Sequence, residues 1–283
     1  MLLFIEPWNH KIDRAVHILF FCFQLNEFFV INSSVMRKKF VERIHTVSLS
    51  SESSNSSTPS TPAPSNNWFE LPCIEFYLMG DEHRDEVSQL VINTFFRDEP
   101  LNQHLNFNLP DEPKEFTDLV LSQALEDRCS FVAIDVQTQK IIGVILNVIK
   151  CRSLSSSDED EIEFKSEKLR FILSILKGLH RTIDLFERIK TDRLLHVAVI
   201  AIDAYYRGLR LTEKLVRISL ERAKKDLHLH AAYSEATSLY SAKAFRKQGF
   251  QLYSETIYAD YDRNRLADLI GDHDRCQLLA KEL

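Results

Sequence analysis

Residues 194–225 read LLHVAVIAIDAYYRGLRLTEKLVRISLERAKK, and the rest of the chain is organised around them. His196 to Ile202 is a short Val- and Ile-rich run bounded by polar residues, the pattern of a strand covered on both faces. Asp203 to Tyr206 breaks the run. From Leu209 onward, Leu211, Leu215, Ile218 and Leu220 recur at helical spacing, with Glu213, Lys214, Arg217 and Lys224 on the other side. A strand that feeds a helix through the short link Tyr206 to Thr212 aims the first free amide N–H groups of that helix at one place. Those groups, the positive end of the helix dipole, Arg207 and Arg210 together make an anion site suited to a phosphate.

This segment resembles the acetyl-CoA-binding core of the GCN5-related N-acetyltransferase superfamily, where a strand is followed by Arg/Gln-x-x-Gly-x-Gly/Ala at a helix N-terminus. Arg207 takes the first position. Arg210 stands where the middle Gly is expected and Thr212 where the last Gly or Ala is, so only Gly208 offers an unhindered backbone. Arg210 either crowds a pyrophosphate or swings out to pair with a phosphate. The resemblance implies acetyl-CoA as co-substrate and no metal. The thioester would be held by backbone groups of Ile200, Ala201 and Ile202, and the pyrophosphate by Arg207, Gly208, Leu209, Arg210, Leu211 and Thr212. It also implies an α+β fold: a mixed, mostly antiparallel twisted sheet of six to seven strands flanked by helices.

A second motif, Phe95-Phe96-Arg97-Asp98-Glu99-Pro100-Leu101-Asn102, follows the first helix. An F-F-x-D-E-P-L run there resembles the arylalkylamine N-acetyltransferases of invertebrates, including the dopamine type. In that family the Glu of the run is the general base, which maps onto Glu99. The residue chemistry fits the role. Pro100 pushes Glu99 to an extended backbone, which stops the helix and frees the carboxylate to enter a cleft. Phe95 and Phe96 can raise its pKa by desolvation, as an amine-deprotonating base requires. Asp98 is a candidate ammonium partner or a cap. Read without their context, both acids would be solvated loop residues.

The superfamily also carries a helix ending in Gly-Phe, here Gly249-Phe250. Many members place a Tyr four residues before that Gly to protonate the departing thiolate; this chain has Phe245. The arylalkylamine family places serines on this helix, and Ser238 and Ser241 match them, sharing a face at i, i+3. Such serines relay a proton, bond the CoA sulfur, or simply cap the helix. Tyr240 is a further donor. His273 matches a His in the variable C-terminal segment. His104 has no partner at metal spacing and reads as a surface or pocket residue.

The other elements follow from periodicity. Ile74 to Met79 is a strand, and Asp81 caps a helix running to about Phe96. A helix over Pro110 to Asp127 and a hairpin of Ser130 to Val136 with Ile141 to Ile149 come next. Phe164 to Arg193 is one long or two short helices, with Gly178 as the break. Leu227 to Glu235 is a fifth strand, and Leu252 to Tyr261 a closing strand or hairpin.

With 283 residues, 45% hydrophobic and 27% charged, the chain has an ordinary globular balance. A net charge of -6 argues against nucleic acid as a partner. Five cysteines without CxxC spacing suit a reducing compartment, so a cytoplasmic location is expected. The apolar run Val16 to Ile31 is short for a membrane span and interrupted by Gln24, Asn26 and Glu27; membrane contact requires that run. Met36 opens a more ordinary polar start. Three regions are expected: an N-terminal segment 1–47, a disordered Ser/Thr/Pro linker 48–67, and an acetyltransferase domain 68–283. The acidic run Cys151 to Glu163 reads as a solvated loop.

The expected activity is direct transfer of an acetyl group from acetyl-CoA to a primary arylalkylamine of the dopamine, serotonin, tyramine or octopamine class. The partner is thus a small-molecule amine; the oligomeric state is left open. Two alternatives stand beside it. One is the same fold acting on a polyamine or a protein N-terminus. The other is a non-catalytic relative that binds a partner through the cleft.

Overall fold

The computed structural model describes residues 72–152 and 164–283. The apolar run Val16 to Ile31, the Ser/Thr/Pro linker and most of the acidic run lie outside the described residues. In chain order the elements are strand β1 (Ile74–Leu78), helix α1 (Arg84–Leu90), α2 (Pro100–Leu105), α3 (Lys114–Asp127), β2 (Phe131–Asp135) and β3 (Lys140–Cys151). They continue with α4 (Glu167–His180), α5 (Leu185–Ile189), β4 (Arg193–Ile202), α6 (Leu211–Lys225), β5 (Ala231–Ala236), α7 (Leu239–Lys247), β6 (Gln251–Ile257), α8 (Tyr258–Tyr261), α9 (Arg263–Leu266) and β7 (Arg275–Glu282).

The seven strands form one sheet in the order β1-β2-β3-β4-β5-β7-β6. Every pairing is antiparallel except β4 with β5, as the sequence leads one to expect for the α+β class. The helix after β4 is the crossover that a parallel pair requires. One face of β4 packs on α6: Leu195, Val197, Leu215, Val216 and Leu220 are buried in one cluster. The other face joins Val199 and Ala201 to the cluster of α1 and α3. Gly143 on β3 faces Ile202, whose Cδ1 would lie 2.8 Å from an added Cβ, so a larger residue there would make the end of the Ile202 side chain shift.

Several expectations about elements need correction. Asp81 does not cap the first helix. Gly80 holds that position, its N–H donating to His83 Nδ1 at 2.9 Å, and a short 3-10 turn Asp81–His83 precedes α1. After α1 the chain continues as a π-turn, Val91–Phe96. Gly178 lies inside α4; the break comes after His180, where Asp184 accepts from Glu187 N and starts α5. The third helix begins at Lys114, not Pro110. The fifth strand begins only at Ala231. Strand β7 carried no clear signal beside the polar Arg275, Gln277, Lys281 and Glu282, yet it is the strand that inserts between β5 and β6. Among the described residues no helix is long and apolar enough to cross a membrane.

Candidate active site

The site begins at a fork in the sheet. Strand β4 pairs with β3 from Arg193 to Ile202, but with β5 only at Leu195–Ala232 and His196–Tyr233. Ser234 Oγ donates to the Val197 carbonyl at 2.8 Å as the last link before the strands part. A bulge beside Leu146–Asn147 makes Ala198 the extra residue of β4 and increases the local twist. Beyond it, Ile200, Ala201 and Ile202 run along the fork with no β5 partner; the Ile202 carbonyl accepts from Arg207 Nε at 3.4 Å, and the edge is otherwise open to a ligand.

The loop after β4 supplies the anion-binding end. Asp203 accepts from Tyr205 N and starts a 3-10 turn, Ala204–Tyr206, and the Tyr206 hydroxyl donates to Asp135 at 2.6 Å. Gly208 adopts φ +85° with no atom near the position of an added Cβ. Arg210 also lies in the left-handed region, φ 59°, where it is the N-cap of α6 and offers no side-chain cap. The first N–H groups of a 15-residue helix are thus left for another acceptor. Both arginines have protein partners: Arg207 donates to Asp98 at 2.5 Å, and Arg210 pairs with Glu213 at 3.0 Å. Leu209, expected among the cofactor residues, turns away and packs with Ile142 and Leu211.

Glu99 stands opposite the fork. Its backbone is extended (φ -70°, ψ 130°), and Pro100 opens α2 at a position where no N–H is missed. The Glu99 carboxylate accepts from Asn102 N at 2.8 Å and from the Thr237 hydroxyl at 2.8 Å. Burial pushes its carboxyl up to about 7, against the opposing hydrogen bonds from Asn102, Thr237 and Leu101. Its neighbour Asp98 goes the other way. Hydrogen bonds from Arg97 and Arg207 outweigh desolvation and hold it below the usual carboxylate range. The two adjacent acids thus differ: Glu99 is buried and holds its proton more tightly than usual, while Asp98 is an ion paired with Arg97 and Arg207. Asp98 is not the cap of α2, a position that Glu99 holds; its pairing with Arg207 ties the Glu99 turn to the 207–212 loop.

These features open onto one cavity of about 1520 Å³. That exceeds the usual single-ligand pocket and leaves room for two molecules side by side. Eleven of the twelve residues expected from sequence line it; Leu209 does not. Ser238 and Ser241 do, but they also form a mutual cap on α7. Ser241 N donates to Ser238 Oγ at 3.3 Å, Ser238 N to Ser241 Oγ at 3.3 Å, and the two hydroxyls lie 3.1 Å apart. Phe245 is buried against Phe250. Gly249 takes the left-handed conformation after α7, φ +88°. His273 packs on Tyr240 and accepts from Leu239 N at 3.3 Å, which makes it a brace for α7. His104 contacts the Arg265 carbonyl at 2.7 Å, away from the cavity.

Sequence reasoning missed three contributors. Thr237 follows β5 and donates to Glu99. Tyr258, fully buried, donates to the Thr237 carbonyl at 2.7 Å and fixes it. The third is a partly buried cluster of His180, His196 and Glu235. A His and a Glu inside otherwise apolar strands were the available signal.

No protein-family model and no curated protein matches the sequence. Solved structures do. Arylalkylamine N-acetyltransferase 2 of Aedes aegypti is 27% identical over 74% of this chain and 98% of its own, with TM-score 0.67. A mosquito arylalkylamine N-acetyltransferase-like protein, 5b, is 23% identical over 75% and 100%, with TM-score 0.63. A polyamine N-acetyltransferase of Drosophila melanogaster is 20% identical over 75% and 100%, with TM-score 0.61. The latter two speak to the fold alone. With its seven-stranded sheet, its forked β4–β5 pair and these likenesses, the chain is a relative of the GCN5-related N-acetyltransferase superfamily.

Proposed function

We propose that the chain transfers an acetyl group from acetyl-CoA to a primary arylalkylamine, with Glu99 as general base. The observation that carries this is the Glu99 carboxyl, raised to about 7 and sharing one cavity with the fork and the 207–212 loop. The open backbone at Gly208, the uncapped start of α6 and the unpaired edge of Ile200–Ile202 fit a thioester with a pyrophosphate tail. Bound there, acetyl-CoA would supply the thioester carbon that the amine attacks.

The protein's own part is proton management and positioning. A primary ammonium near the lysine value, about 10.4, has no lone pair until a base takes its proton. Glu99 accepts that proton, directly or through water, and burial brings its affinity for protons closer to the amine's. N–H groups at the fork oppose the charge that gathers on the thioester oxygen. In this reading the paired hydroxyls of Ser238 and Ser241 return a proton to the departing sulfur, the task that Phe245 cannot perform. Holding both reactants in one cavity supplies much of the acceleration.

The likeness to the Aedes arylalkylamine enzyme favours an aromatic amine, and so do Phe95, Phe116, Phe164 and Phe186 on the cavity wall. Glu99→Gln tests the reading. It is expected to lower turnover about 10²- to 10⁴-fold while calorimetric CoA affinity stays within about threefold. Unchanged turnover would reject the base assignment, and absence of CoA binding at millimolar concentration would reject the cofactor site.

A further inference from the structure

A second polar group faces the same cavity, and the chemistry above makes no use of it. Glu235 on β5 accepts from His180 Nε2 at 2.7 Å and from His196 Nε2 at 2.6 Å, one imidazole on each carboxylate oxygen. The three come from different elements: β5, the last residue of α4, and β4. His196 lies flat on Tyr233, with centroids 4.5 Å apart and planes within 4°, and His180 meets the same ring edge-on at 5.8 Å. All four residues line the cavity.

The hydrogen atoms can be assigned by elimination. An ionised carboxylate only accepts, so both Nε2 atoms carry their protons. Burial alone would raise the Glu235 carboxyl, but the charge of His196 and the hydrogen bonds of both imidazoles outweigh it and hold it well below the usual range. His196 Nδ1 is buried without a partner. His180 has 34% of its side chain exposed and is the member open to the cavity. Its Nδ1 has no hydrogen-bond partner among the described residues.

Glu235 lies near the end of β5, and Thr237 follows the last residue of that strand, Ala236. Thr237 is the residue that bonds Glu99. Glu99 and the imidazole cluster therefore line the same cavity.

We propose that His180, held in place by Glu235, reads a hydroxyl on the aromatic ring of the amine, so that the site selects phenolic arylalkylamines. This rests on the proposed acetyltransferase reading and deepens it. A phenol both donates and accepts, so it complements His180 Nδ1 whether that atom is bare or protonated. A second ammonium would suit only the bare form, and both Glu235 oxygens already hold an imidazole N–H. The walls beside the cluster, Ile172, Leu173 and Leu176, suit a ring rather than a polyamine chain.

The test measures kcat/KM for two matched pairs on one preparation: tyramine with phenethylamine, and 1,4-diaminobutane with butylamine. A ratio within a pair does not depend on how much of a variant folds. The native protein is expected to favour tyramine over phenethylamine by at least about tenfold, since a site built around a hydroxyl rejects its absence. His180→Ala and His180→Phe, the second keeping a flat ring against Tyr233, are expected to bring that ratio within about threefold. Glu235→Gln is expected to reduce it in the same direction. A native ratio near one, a preference that survives both His180 variants, or a loss confined to the diamine would overturn the proposal. Turnover of phenethylamine with no hydroxyl preference defeats this inference alone. Failure to turn over any of the amines defeats the acetyltransferase reading first, and this one with it.

Discussion

Replacing Thr237 by valine isolates the tuning of the proposed base. Valine keeps the shape of threonine and removes one hydroxyl, the donor 2.8 Å from Glu99 Oε1. Burial raises the Glu99 carboxyl and this bond pulls it back, so its loss leaves burial less opposed. A hydrogen bond to a charged group contributes about 1.5–3 kcal/mol, which corresponds to one to two pH units. The carboxyl should therefore move from about 7 to between about 8 and 9. The assay is the pH dependence of kcat/KM for an arylalkylamine, read by thiol release. Activity should rise with pH as the base loses its proton, through about 7 in the native protein and about one to two units higher in the variant. At pH 7 the variant should be about tenfold slower, and the gap should narrow by pH 9.5. An inflection that stays in place, or moves to lower pH, would refute the assignment of Glu99 or the role of Thr237.

The same carboxyl has a signature in stability. Its folded value, about 7, lies above the ordinary 4.5, so between those pH values the unfolded chain has released a proton that the folded chain retains. Stability from this group is full below 4.5 and is lost as pH rises to about 7, by roughly 3 kcal/mol. Melts from pH 4.5 to 8 should show that decline in the native protein and a flatter profile in Glu99→Gln; equal slopes would contradict it. Gly208→Val places a branched side chain at φ +85°, which should cost about 1–2 kcal/mol in melts and raise KM for acetyl-CoA at least about tenfold. An unchanged KM would show that the loop does not approach the co-substrate. Ser238→Ala removes the cap of α7 and should cost about 1 kcal/mol, with a fall in turnover only if the hydroxyl pair relays a proton. A stability loss with full turnover assigns it to capping alone.

Much of the fold was legible because β4 and α6 carry strong, opposite periodicities. The polar Asp203–Arg210 link fixes where one gives way to the other. Strand β7 was not legible: it pairs on both sides, and its polar Arg275 and Gln277 both donate to Glu255, a partner that only the fold brings near. The site divides in the same way. Glu99 and the 207–212 loop could be read because Pro100 and Gly208 constrain the backbone locally. Thr237, Tyr258 and the His180–Glu235–His196 cluster could not, since each acts through a partner 21 to 138 residues away. Of the acids that pair with the two loop arginines, Glu213 is only three residues from Arg210, whereas Asp98, 109 residues from Arg207, is visible only in three dimensions.

Thiol release from acetyl-CoA with and without tyramine tests the central claim most directly. Saturable release that depends on the amine, and vanishes with protonation of a group near pH 7, is the predicted result. Tight CoA binding with no amine-dependent release at any pH from 6 to 10 would contradict it, and would leave a cleft that binds without catalysing.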